Sequence, residues 1–178
     1  MKKLVVGIFS FLMISNAYAY DWSWIYSSSQ DEFSNEKTYI AYISEPIRVN
    51  FSEYVSEYDF EIFKFGLRCD ISDSGKVDRL LTFEVGSALS YYNSPVRILI
   101  KVGETKRVFS GRMYRDSMKG GYTSLTSQEF SELSNILSKG QDVLYRVEPI
   151  GEGESDGARL TLRGSAKSLK QLSHYCDT

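Results

Sequence analysis

The chain has 178 residues, 42% hydrophobic and 14% aromatic, with 21 Lys and Arg against 23 Asp and Glu, one His and two Cys. Its net charge of −2 lacks the basic excess that neutralising a phosphate backbone requires, which argues against a nucleic-acid ligand. A lone histidine leaves no basis for a multi-histidine metal site, and no Cys-x-x-Cys pair is present for redox exchange.

Residues 1–19 carry the parts of an export signal: Lys2 and Lys3, an apolar stretch from Leu4 to Ile14, and the small-residue site Ala17-Tyr18-Ala19. That stretch is shorter than the roughly 20 residues a membrane-spanning helix needs, so cleavage after Ala19 is expected and no membrane anchor would remain. Taking away Lys2 and Lys3 leaves 159 residues with 19 basic and 23 acidic groups, a mildly acidic product. No Pro- or Ser-rich linker, repeat or low-complexity tract divides residues 20–178, which are expected to form a single β-sandwich domain.

Asp21-Trp22-Ser23-Trp24-Ile25-Tyr26 comes first, and strand geometry would put Trp22, Trp24 and Tyr26 on one face. Such a ladder is either an aromatic contact surface or a plug in the core beside Cys69. Phe51, Tyr54, Val55 and Tyr58 follow with helical spacing inside a chain that otherwise reads as sheet. Period-two alternation then dominates. Phe63, Phe65, Leu67 and Cys69 would point inward, with Lys64 and Arg68 outside. Leu81, Phe83 and Val85 repeat the pattern, as do Val96, Ile98, Ile100 and Val102. Asp73-Ser74-Gly75-Lys76 and Gly103-Glu104 read as hairpin turns. The first lacks the spacing of a phosphate-binding loop.

A helix start follows at Leu125-Thr126-Ser127-Gln128-Glu129-Phe130: Thr126 caps, Glu129 reaches back, and Leu125 packs on Phe130. Phe130, Leu133, Ile136 and Leu137 form its apolar face, and Gly140 would end it in a left-handed conformation. Val143, Tyr145 and Val147 alternate with Arg146 and Glu148; Ala158, Leu160 and Leu162 alternate with Arg159, Thr161 and Arg163. Between them, Gly151 to Gly157 forms an acidic turn without the roughly twelve-residue calcium-loop pattern, so no metal is expected there. Gly164 frees the chain for a last helix capped by Ser165, with Ala166, Leu169, Leu172 and Cys176 on its buried side.

Cys69 and Cys176 thus both face the interior, and an exported chain reaches a compartment where disulfides persist. A bond between them is expected, closing a loop of about 107 residues and contributing on the order of 4 to 5 kcal/mol in the chain-entropy description. The alternative is two buried thiols acting as small hydrophobes.

These segments carry a resemblance. The early tryptophan, the Arg68-Cys69 strand end, the helix before Lys139-Gly140-Gln141-Asp142-Val143, and the closing Leu160, Leu162, Gly164, Ala166, Leu169, Leu172 and Cys176 resemble periplasmic proteins of the VasI type, associated with type VI secretion. More loosely, they resemble the invasion-associated locus B proteins, from which this chain departs in its few cysteines. The resemblance implies a periplasmic β-sandwich without established enzymatic activity, and a secretion link by association.

No acid, base or nucleophile is singled out by spacing, so no catalytic residues and no cofactor are expected, and His174 lies off the apolar face of the last helix. The expected function is that of an exported, non-catalytic periplasmic binding or adaptor protein of the cell envelope, linked to secretion or host interaction, whose partner is another envelope protein. The alternative is an inhibitor or immunity protein against a wall-degrading enzyme, because Phe109-Ser110-Gly111-Arg112-Met113-Tyr114 resembles the Ser-Gly and Tyr pattern of periplasmic lysozyme inhibitors.

Overall fold

Residues whose apolar side chains recur at every second position form the strands of an antiparallel sheet, and two apolar stripes form helices, the first of them with a capping box. A computed structural model describes residues 23–48, 60–86, 93–151 and 153–176. Its strands are β1 (Ile25–Gln30), β2 (Lys37–Arg48), β3 (Phe60–Ile71), β4 (Val77–Glu84), β5 (Pro95–Val102), β6 (Thr105–Met113), β7 (Gly120–Leu125), β8 (Asp142–Pro149) and β9 (Asp156–Thr161). The helices are α1 (Ser127–Lys139) and α2 (Ser165–Cys176). All strands belong to one sheet in the order β1-β2-β3-β4-β7-β6-β5-β8-β9, and every pairing is antiparallel.

The sheet doubles over, so one continuous ladder makes both layers. β6 and β7 pair only through Arg112↔Tyr122 and Met113↔Gly121. The apolar faces of the two halves meet across this bend, where the Phe65 ring of β3 lies 5.1 Å from that of Tyr145 of β8. The inward set contains Phe63, Phe65, Leu67 and Cys69; Leu81, Phe83 and Val85; Val96, Ile98, Ile100 and Val102; Val143, Tyr145 and Val147; and Ala158, Leu160 and Leu162. Every inward position assigned by alternation is buried. The mainly β architecture follows directly from that one-sided pattern.

The turns match their chemistry. Val102 pairs with Thr105, leaving Gly103 (φ 54°) and Glu104 as a two-residue hairpin that needs a positive φ at its first position. Thr126 and Glu129 form a reciprocal capping box at the start of α1, which buries Phe130, Leu133 and Leu137.

Two local expectations are corrected. Gly140 is extended (φ −80°, ψ 169°), not left-handed, because the chain leaves α1 straight into β8. Glycine is required there by close packing, since a Cβ would collide with Val102 and Leu162. Ala166 is exposed, not buried. The stripe of α2 is rotated so that Ser165 and Ser168 face inward with Leu169, Leu172 and Cys176. Burying two hydroxyls is tolerated because Ser165 Oγ donates to Leu137 O at 2.9 Å and Ser168 Oγ to Trp24 O at 3.1 Å.

Helix α2 packs on β1, β2 and β3 and against α1. Cys69 and Cys176 form a disulfide with a Cα–Cα separation of 6.0 Å, spanning 107 residues. Arg79 reaches the same helix end and donates to the Cys176 carbonyl, a cation where the helix dipole is negative. The segment Phe51 to Tyr58 lies outside the described residues.

Candidate functional site

The two outer faces of the folded sheet differ in electrostatic character. On the β2-β3-β4 half, basic and acidic groups are matched: Lys64–Glu84 at 2.7 Å, Arg68–Asp70 at 2.8 Å and Lys76–Asp78 at 2.8 Å. On the β6-β5-β8-β9 half they are not. Strand parity directs Arg97, Lys101, Lys106, Arg112, Arg146 and Arg159 outward there, against only Glu148 and Asp142.

Register turns this composition into a surface. Val108 lies opposite Leu99, Leu99 opposite Arg146, and Arg146 opposite Gly157. The adjacent row runs Lys106, Lys101, Leu144, Arg159. Leu99, Val108 and Leu144 therefore form an apolar centre, with Val108 60% and Leu144 39% exposed. Lysines and arginines border it. Together they line an open groove of about 610 Å³, completed at one margin by Arg107 and by Ser155, Asp156 and Gly157 at the start of β9.

The charges fall into two groups. Arg97 reaches Glu148 through Nε at 2.9 Å and Nη2 at 2.5 Å, while Arg146 Nη2 contacts the other carboxylate oxygen at 2.6 Å. Hydrogen bonding from Arg97, then the charges of both arginines, holds the Glu148 carboxyl below its ordinary value against partial desolvation. That trio keeps one net positive charge. Arg159 is compensated by Asp142 at 2.8 Å. Among the described residues Lys101 and Lys106 take part in no ion pair, so two full charges beside the apolar centre are open to an anionic ligand.

Among the described residues, no three His, Cys, Asp or Glu side chains converge as a metal would require. His174 is exposed and sits edge-on to Tyr175. No helix among the described residues is long and apolar enough to cross a membrane.

The aromatic residues near the start of the chain separate. Trp24 is 5% exposed, in the core, which removes it from any contact surface. Tyr26 is half-buried and stacks at 6.4 Å on Tyr175, which itself stacks at 4.3 Å on Tyr39. These rings fasten α2 to β1 and β2. Trp22 lies outside the described residues. Phe109 to Met113 belong to strand β6, with Arg112 and Met113 paired to β7, so the segment offers no loop to insert into an enzyme cleft. Spacing along the sequence does not by itself mark the basic face. Its one legible signal is Leu99 and Leu144, apolar residues at positions whose parity is outward.

No protein-family model matches the chain, and no curated protein matches it. Among solved structures, that of invasion associated protein B from Bartonella henselae is similar at 10% sequence identity and a TM-score of 0.43, over 84% of this chain and 99% of that chain.

Proposed function

We propose that this chain is an exported, non-catalytic binding module of the periplasm that holds an acidic partner protein on the outer face of β6-β5-β8-β9. One observation carries the reading: a chain of net charge −2 sets six outward cations on a face centred on the half-buried Leu99 and the exposed Val108 and Leu144. An apolar centre with a charged border is the arrangement by which interfaces combine affinity with orientation. The amino-terminal signal features and the disulfide fit an extracytoplasmic address. The sequence resemblance to VasI-type proteins directs the search for the partner to secretion components.

The test is capture from periplasmic extract by the wild-type chain and by two face variants, Leu144→Glu and the double variant Lys101→Glu/Lys106→Glu. A partner bound by wild type and lost from both supports the reading. Equal capture by all three would remove it. Added salt should also weaken capture by the wild-type chain, since the unpaired lysines supply the attraction.

A further inference from the structure

Phe33 is the one large hydrophobic residue described as 100% exposed, and it sits at the tip of the β1–β2 hairpin. Among the described residues, nothing covers it. Yet the loop that carries it is well tied. Asp31 N donates to Glu36 O at 2.8 Å, and Asp31 Oδ1 accepts from Phe33 N at 2.8 Å and Ser34 N at 3.2 Å. Asn35 takes a left-handed conformation (φ 55°) that closes the turn. A bulky ring held outward on a preorganised turn loses little freedom when it inserts into a pocket. Asp31, Glu32 and Glu36 surround it, all exposed. The tip is therefore an apolar knob in an acidic setting.

The groove on the opposite half of the sheet is its complement: an apolar floor of Leu99, Val108 and Leu144, bordered by the unpaired Lys101 and Lys106. We infer that the Phe33 hairpin of one copy docks into the Leu99–Val108–Leu144 groove of a second copy. The occupant is chosen by charge as well as shape, since three carboxylates face the cationic border. The inference rests on the same face as the proposed adaptor function and makes self-association a competitor for the acidic partner. Knob and groove are different surfaces, so the contact is head-to-tail. A pair joined by one such contact keeps a free knob on one copy and a free groove on the other, through which further copies add in open chains.

Sedimentation of the disulfide-bonded chain at low salt tests this. Mass should rise with concentration beyond that of a dimer, and added salt should reduce it several-fold. Phe33→Ser and Leu144→Glu each alter an exposed side chain and should be monomeric when alone. Mixed, they should form a one-to-one complex that stops there, because one variant retains the groove and the other the knob. A wild-type chain that stays monomeric up to about 500 µM, where a single-anchor contact is populated, overturns the inference. So does association that survives in either variant, or a mixture that stays unassociated. Failure here is separable from failure of the adaptor reading: Phe33→Ser should keep the periplasmic partner, whereas Leu144→Glu should lose it.

Discussion

Tyr145 shows how one hydroxyl sets a limit on the protein. The side chain is 1% exposed between the two layers, and its Oη donates to the Glu84 carbonyl at 2.6 Å, tying β8 to β4. Burial first, then the negative charges of Asp156 and Glu84, raise its ionisation far above the ordinary value of 10.0. A phenol whose ionisation is raised by folding stabilises the native state fully below its unfolded value. That contribution is lost as pH rises beyond it. Tyr145→Phe should therefore cost about 1–2 kcal/mol at neutral pH by removing the hydrogen bond. Its deficit relative to wild type should shrink above about pH 10, where only wild type has this phenol to ionise. Urea denaturation at neutral and alkaline pH measures both. A deficit constant across that range would mean that Tyr145 titrates as it does in the unfolded chain.

At the scale of elements, α2 depends on anchors outside itself. Twelve residues is short for an isolated helix. The disulfide, the Arg79 contact with the Cys176 carbonyl, the Ser168 bond to Trp24 and the Tyr175–Tyr39 stack hold it to the sheet. Replacing both cysteines, Cys69→Ala with Cys176→Ala, should cost about 2–5 kcal/mol. Hydrogen exchange should accelerate first in α2, with β5 and β8 remaining protected. Uniform acceleration would show that the helix opens only with the whole fold. Legibility also differs by element. α1 was readable because its start signal is local, within Thr126 to Phe130. β2 was not, because Tyr39, Ala41 and Ile43 face in while Ile40 and Tyr42 are half-buried on the other face, which erases the alternation. β7 begins with two glycines that weaken any strand signal. Gly121 is needed because a Cβ would strike the Arg112 carbonyl and the Phe83 ring, a tertiary reason that a sequence window does not contain. The basic face was hidden for a related reason: Arg146, Glu148 and Arg159 were readable as outward, but their meeting with Leu99 and Lys101 depends on the β5–β8 pairing, across a long stretch of chain.

At the scale of the whole molecule, the open question in a doubled sheet is what holds its free edges together. The bend side has two β6–β7 residue pairs. The opposite seam, where β1 and β2 approach β9, has no strand ladder and is closed by single residues. Glu45 Oε1 accepts from Thr161 N at 3.0 Å. Trp24 does more: its N donates to Arg163 O at 2.8 Å, its Nε1 to Thr161 O at 3.1 Å, and its carbonyl accepts from Ser168 Oγ. Its ring lies edge-on to Phe65 at 6.5 Å. One residue thus reaches Thr161 and the core through its side chain, and Arg163 and the terminal helix through its main chain. Trp24→Phe, which keeps a ring and loses the indole donor, should cost about 1–2 kcal/mol. Trp24→Ala should cost about 3–5 kcal/mol by adding a cavity at the seam. Amide exchange at Thr161 should quicken in both, ahead of global unfolding, because its bond to Glu45 depends on the edges staying in register. If Trp24→Ala unfolds within about 1 kcal/mol of wild type, the range of an ordinary surface change, the seam is not held by this residue.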